Sequence, residues 1–298
     1  MIDLHTHTNC SDGADDVLDL LKNAEKRKIE VLSITDHNTC MAYERLKGVN
    51  VRDYFTGVLI PGCELRTVID GYNIEILGYK VNTDLLNQEL PKIMPTFAQL
   101  NVGEATRFLE ILISMGYEID ENNIKFDPET QSGNETIVME LLKNPKNVRF
   151  LDIFPNREYS GKILHKEHIT NPKSPFFVDS SSLLPDIKTI IDLIHRAGGL
   201  VFVPHVFAYG NSSATILEKL LNTKGIDGIE CFYSDFSDEQ TNQLLQICKQ
   251  KGYYVSGGTD YHGANRKGVE LGVGKGNMNI GRDTIENWMH RQREDFCL

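Results

Sequence analysis

The strongest constraint on this chain is where its imidazole and carboxylate side chains fall. His5 and His7 close the first apolar stretch. Asp36 and His37 follow the run at residues 29–35, and Glu64 ends "GVLIPGCE". His205 ends "LVFVPH", and Asp260 and His262 follow "YYVSGG". Each time, a segment with strand character stops at a residue type that binds metal ions. Successive side chains in a strand alternate faces, so His5 and His7 point the same way and can grip one cation. An α/β barrel gathers the ends of its parallel strands at one rim, where such folds build active sites. Residues from opposite ends of the chain are therefore expected to converge.

The intervening sequence supports that architecture. "ADDVLDLLKNAEKRK" places Val17, Leu18, Leu21 and Ala24 at helical spacing. "PDIKTIIDLIHRAGG" has a helix start at Pro185-Asp186 and a stop at Gly198-Gly199, and "QTNQLLQICKQKG" is a helix closed by Gly252. "GVLIPGCELRT" and "YNIEILGYKV" read as strands joined by a turn at Asp70-Gly71. Strands alternating with helices predict a mainly parallel sheet or barrel.

The rhythm breaks after about residue 84. "TFAQLNVGEATRFLEILISMGYEI" is helical, with Phe108, Leu109, Leu112 and Met115 on one face, and no convincing strand follows before about residue 174. The expected organisation is a barrel from residues 1–84 and 175–298, with a helical insertion or lid over 85–174. The stretch from Lys143 to Lys173 carries seven Lys/Arg against three acidic residues, plus His165 and His168. It is either a solvated face or a lid that receives an anionic substrate.

Composition narrows the partners. A net charge of -11 argues against a general surface for duplex nucleic acid or membrane, since both are anionic. It does not exclude an anionic substrate, because bound divalent ions lie outside that count. No apolar run approaches the roughly 20 residues of a membrane span, and "MIDLHTHT" does not read as a signal peptide. The six cysteines are scattered with no C-x-x-C pair, which predicts free thiols in a cytoplasmic protein.

H-x-H alone is a weak signal, but with "TDH", "GCE", "PH" and "GTDYH" in order at strand ends it is a strong one. Through "DLHTHTNCSDG", "ITDHN", "GCE", "ILGY", "AGGLVFVPH", "DGIE" and "SGGTDYHG", the chain resembles the PHP (polymerase and histidinol phosphatase) family of metal-dependent phosphoesterases. The resemblance covers about residues 1–80 and 176–275. It implies a distorted (β/α)7 barrel with a mainly helical insertion, and hydrolysis of a phosphate ester by water activated at a di- or trinuclear site of Mn2+, Fe2+ or Zn2+. Position by position, it implies that His5, His7, Glu64 and Asp260 hold a first ion. Glu64 would bridge to a second ion also bound by His205, and Asp12, His37 and His262 would hold a third. Asp36 would orient a histidine. The residues acting in catalysis are then Asp36, His37 and His262.

Two departures matter. Where family members often carry histidine in H-I-L-G, this chain has Glu75, which alternates with apolar Ile74 and Ile76. It is either an oxygen ligand, favouring harder ions such as Mn2+ over Zn2+, or a solvated carboxylate. An Arg-Pro-His motif found in nucleotide-processing relatives is missing, and "SGNETIVMELL" stands in that place. Arg107, Arg149, Arg157, Lys162, Lys166 and Arg266 are candidates to bind phosphate instead. Lys267 contacts phosphate or faces solvent, and Glu230 supports a ligand or caps a strand. His195 is packed or half-exposed, His290 lies at the surface, and nothing suggests that Cys10 is activated.

The expected substrate is a nucleoside 3′,5′-bisphosphate or a short oligonucleotide end. The alternative within the class is a small metabolite such as histidinol phosphate. Rival readings are an amidohydrolase-type C–N hydrolase, which shares H-x-H and a late aspartate, and a catalytically inactive binding barrel.

Overall fold

The computed structural model describes residues 1–128 and 130–290; Cys297 lies outside the described residues. Seven strands form one sheet in chain order: β1 (Ile2–Asp3), β2 (Val31–Ile34), β3 (Val58–Ile69), β4 (Tyr72–Tyr79), β5 (Leu200–Val203), β6 (Gly228–Tyr233) and β7 (Tyr254–Gly258). Closure comes from the Leu4 N–H to Gly257 carbonyl bond and from the parallel bridge between Thr6 and Tyr261. The result is a nearly closed seven-stranded barrel. The close approach of β7 to β1 requires glycine: a Cβ at Gly258 would lie 2.4 Å from the His5 backbone nitrogen.

The barrel is not uniformly parallel. β3 and β4 form a hairpin whose paired ends, Ile69 and Tyr72, flank the two-residue turn Asp70-Gly71. Both turn residues have positive φ, as such tight hairpin turns require. β4 therefore runs antiparallel to β3 and β5, while the other pairings are parallel. β3 pairs with β2 only over Val58–Pro61 and continues well beyond it. Glu64 is thus a mid-strand residue, not a strand end as expected, yet its bridge to His37 sets it level with the end of β2.

The helices are α1 (Val17–Lys26), α2 (Met41–Arg45), α3 (Thr83–Ile93), α4 (Phe97–Ser114) and α5 (Gly133–Leu141). Then come α6 (Gly161–Ile163), continuing as a π-helical segment over Leu164–Ile169, α7 (Ile187–Arg196), α8 (Ser213–Leu221), α9 (Asp238–Lys251) and α10 (Glu286–Met289). Asp186 caps α7 by accepting the Thr189 N–H at 2.9 Å, and Ile187, Ile190, Ile191 and Ile194 form its buried stripe. Helix α9 opens on a capping box between Ser237 and Gln240.

Three of the four apolar clusters among the described residues show this plan. Ile2, Val31, Leu200 and Phe202 fill the barrel at the end where its parallel strands begin, and Trp288 of α10 plugs that end, its indole N–H bonded to the Val255 carbonyl. A second cluster lies between the sheet and its helices. It includes Leu86 and Leu90 of α3, so this helix, which straddles the expected boundary at residue 85, packs on the barrel. A third cluster, with Phe108, Leu112, Phe150 and Phe176, is built from the mainly helical stretch between β4 and β5, and Phe176 carries it past the expected boundary at residue 174. The Arg66–Glu104 ion pair at 3.0 Å ties insertion to barrel. No helix among the described residues is long and apolar enough to cross a membrane. The five described cysteines are free.

Candidate metal centre

The rim opposite Trp288 gathers the expected residues. His5 and His7 follow β1, with Asp12 in the next turn, and His37 follows β2. Glu64 comes from β3, Glu75 from β4, His205 follows β5, and Asp260 and His262 follow β7. Their ligand atoms form three sets, each within 4.8 Å of one another: His5, His7, Glu64 and Asp260; Glu64, Glu75 and His205; His7, Asp12, His37 and His262. Glu64 belongs to two sets. Its Oε2 lies 3.1 Å from His5 Nε2 and its Oε1 2.9 Å from His205 Nε2. Glu75 reaches the rim because β4 is antiparallel. Its carboxylate stands 3.6 Å from His205 Nε2 and 4.0 Å from His37 Nδ1.

The donor set fits divalent cations. Both ring nitrogens of buried His7 lack a hydrogen-bond partner, though Nε2 lies 3.2 Å from Asp260 and Nδ1 3.6 Å from Asp12. Buried polar atoms without partners are costly, and cations between these groups would satisfy them. The carboxylates are poised as anions. Burial alone would raise Glu64, but His5, His37 and His205 hold it well below the usual carboxylate range. Burial opposes the ionisation of Asp260 likewise, and His5, His7 and Arg266 overcome it. His7 answers in kind: burial would lower its pKa, but Asp260 and Glu64 push it up to about 10 in the metal-free protein. Such mixed imidazole and carboxylate sets suit first-row divalent metals.

Behind these groups lies a supporting layer. Glu230, inside β6 and not at a strand end as expected, places one carboxylate oxygen 2.9 Å from His5 Nδ1 and accepts the His205 backbone N–H on the other at 2.8 Å. A partner on Nδ1 aims Nε2 at the centre and fixes its protonation. The "DGIE" motif is the only sequence signal for this role. Asp260 sits at φ 57°, a strained conformation for a non-glycine residue that turns its carboxylate into the site.

Several expected roles are corrected by position. The Asp36 carboxylate makes no hydrogen bond to a histidine among the described residues: it accepts the Thr8 N–H, the Thr8 hydroxyl and the Ser11 hydroxyl, each at 2.7 Å, and so fixes the turn between His7 and Asp12. Arg107 is bound to the Asp179 carbonyl and Ser182, Arg149 lies over the Tyr117 ring, and Arg157 pairs with Asp152. Arg149 and Arg157 are exposed, Arg107 is half-buried, and none of the three lines the cavity at the centre. Arg266 reaches the cavity but commits its guanidinium to Asp260, Tyr233 and Asp235, so it steadies a ligand instead of offering a free cation. Lys267 is exposed. Burial pushes the Cys10 thiol up, away from activation. His195 pairs with Asp227 at 2.9 Å on the far side of α7, and His290 is exposed.

A cavity of about 560 Å³ opens above the centre. His37, Glu64, Glu75, His205, Asp260 and His262 line its floor. Lys162 and Lys166 enter from the insertion, and Phe207 and Phe236 bound it on another side. Lys162 and Lys166 are four positions apart on α6 and its π-helical continuation, a helix distortion frequent at functional sites. Lys166 sits 5.3 Å over the Tyr209 ring, and the Tyr209 hydroxyl accepts the Glu75 backbone N–H at 2.9 Å.

Comparison with known proteins places the chain in a family. A 5′-3′ exoribonuclease from Haemophilus influenzae is 24% identical over 87% of this chain and 89% of its own length. A 3′,5′-nucleoside bisphosphate phosphatase from Chromobacterium violaceum is 22% identical over 91% and 90%. A crystal structure assigned as a metal-dependent phosphoesterase from Bifidobacterium adolescentis superposes with a TM-score of 0.62 at 19% identity, covering 96% of this chain and 94% of that one, and so shares the fold. The PHP domain profile matches residues 3–255. The chain belongs to the PHP domain family of metal-dependent phosphoesterases.

Proposed function

We propose that this protein hydrolyses a phosphate ester at the end of a nucleotide, either a nucleoside 3′,5′-bisphosphate or the terminus of a short oligonucleotide. The observation that carries the reading is the shape of charge in the cavity. A floor of imidazoles and carboxylates faces two lysines, Lys162 and Lys166, across a space that admits a small ligand. The floor alone would repel a phosphate. With two or three divalent ions bound it attracts one, and the lysines receive its remaining charge.

His5, His7, Glu64 and Asp260 are the proposed ligands of one ion, Glu64, Glu75 and His205 of a second, and Asp12, His37 and His262 of a third. Bound ions would polarise a phosphoryl oxygen and lower the pKa of water toward neutrality. Glu64 and Asp260, held ionised by their neighbours, keep anionic charge in place for this purpose. Lys166 and Lys162 neutralise phosphoryl oxygens directed away from the floor. The carboxylate of Glu75 makes its set richer in oxygen, which favours Mn2+ or Fe2+ over Zn2+.

The test is a substrate panel with Mn2+-loaded protein. It comprises adenosine 3′,5′-bisphosphate, a 5′-phosphorylated oligoribonucleotide, histidinol phosphate and a cyclic amide. Turnover of the first or second with KM raised in Lys166→Ala, and unchanged in Arg107→Ala, is expected. Ring opening of the amide without turnover of any phosphate ester would overturn the reading.

A further inference from the structure

We propose that Phe207, Phe236 and Gln240 form a seat for the nucleobase of the substrate, an inference that rests on the nucleotide reading above. The cavity holds more than the reacting phosphate needs, and the surplus is aromatic. A line of rings runs outward from the centre. His205 lies 5.4 Å from Tyr233, Tyr233 lies 5.1 Å from Phe236, and Phe236 meets Phe207 at 5.3 Å with the rings nearly perpendicular. Tyr233, Phe236 and Phe207 all line the cavity. The line begins on a metal-binding histidine, so a ligand anchored by its phosphate at the floor extends along these rings.

Apolar rings beside a strongly charged centre do nothing for inorganic phosphate or a bare sugar phosphate. A planar heterocycle, in contrast, stacks on them, and stacking tolerates any base because each has a π-face. Gln240 supplies the polar edge that such a seat needs. The capping box holds its side-chain oxygen on the Ser237 backbone N–H at 2.9 Å, which leaves the amide NH2 as the free end. That group donates to a ring nitrogen or carbonyl, atoms present on every nucleobase. Lys162 and Lys166 enter from the insertion, so the phosphate and base contacts come from different elements.

The experiment compares substrates that differ only in the base: 2′-deoxyadenosine 3′,5′-bisphosphate against 1,2-dideoxyribose 3,5-bisphosphate, and adenosine 5′-phosphate against 1-deoxyribose 5-phosphate. The readout is the ratio of kcat/KM with the base to kcat/KM without it. Wild type should favour the nucleotide by on the order of tenfold or more. Phe207→Ala should collapse that ratio mainly through the KM of the nucleotide. Phe207→Tyr should restore it, and Phe207→Leu, which keeps apolar bulk without a π-face, should not. Calorimetric binding of adenosine 5′-phosphate to the Mn2+-loaded protein should weaken in the same order. Equal kcat/KM with and without the base, or a Phe207→Ala effect shared by both substrates, overturns the seat while leaving the phosphoesterase reading intact. Release of phosphate from none of these esters, while other compounds are turned over, overturns both.

Discussion

Glu230 and His5 lie 225 positions apart and meet at 2.9 Å in the fully buried interior, carboxylate oxygen to Nδ1. The second oxygen of Glu230 accepts the His205 backbone N–H, so both oxygens face a donor. Glutamine cannot reproduce this. If its oxygen faces His205, its NH2 faces Nδ1 and drives the imidazole proton onto Nε2, the nitrogen aimed at the centre. If its oxygen faces Nδ1, two N–H groups oppose each other. Glu230→Gln should therefore weaken metal affinity roughly 10- to 100-fold with the fold retained, as loss of such supporting partners generally does. Chelator competition followed by elemental analysis, with circular dichroism beside it, measures both.

The centre's pH dependence follows from His7. Its pKa in the metal-free fold is raised from 6.5 to about 10 by Asp260 and Glu64, against the opposing effect of burial. A histidine raised on folding contributes stability that is complete below its unfolded value and lost as pH rises through the folded one. Metal-free protein should therefore lose stability between about pH 6.5 and 10. Over the same interval a cation competes with fewer protons, so apparent metal affinity should climb. Thermal unfolding of chelator-treated and Mn2+-loaded protein across this range should show the gap in Tm widening. A constant gap would mean that His7 does not exchange a proton for metal.

Barrel closure is testable at Gly258. An added methyl would meet the backbone nitrogen, Cα and Cβ of His5 within 2.8 Å, and neither strand can yield without moving a ligand. Gly258→Ala should cost at least the ~1–3 kcal/mol typical of overpacking and lower metal content as well. Gly71→Ala is the contrast. Its φ is +84° but nothing lies within 4 Å, so only the backbone penalty of about 1–2 kcal/mol is expected. Denaturant unfolding and metal stoichiometry of the two variants separate crowding from backbone strain.

Legibility in the sequence divided along physical lines. His5, His7, His37, His205 and Asp260 were readable because a strand followed by a polar ligand is a local pattern, and a barrel converts it into proximity. Antiparallel β4 was less so: Glu75 reaches the rim from the first half of its strand, and only the tight turn at Asp70-Gly71 hints at that reversal. Asp36 was legible as important but not in its partners, since Thr8 and Ser11 approach through a tertiary contact. The basic residues of the insertion were hardest. Lys166 and Arg149 look alike in a charged stretch, yet one enters the cavity and the other rests on Tyr117. Helical sequence fixes spacing around its own axis and says little about which face meets the barrel.

Glu75 offers the sharpest test of the second ligand set. Its carboxylate shares a ligand set with Glu64 and His205. Burial and the negative charge of Glu64 both oppose its ionisation, yet Lys166, His37 and His205 keep its pKa below the ordinary value. Glu75→Gln keeps the volume and removes the charge, so it should lower metal content by up to one ion per chain. The sets built on Asp260 and on Asp12 do not contain Glu75 and should stay loaded. Glu75→His replaces oxygen by nitrogen and should shift selectivity from Mn2+ toward Zn2+, because imidazole suits zinc better than manganese. Elemental analysis after dialysis against an equimolar Mn2+ and Zn2+ mixture reads stoichiometry and selectivity together. Unchanged metal content in both variants would make Glu75 a solvated carboxylate and leave the floor with the two remaining sets.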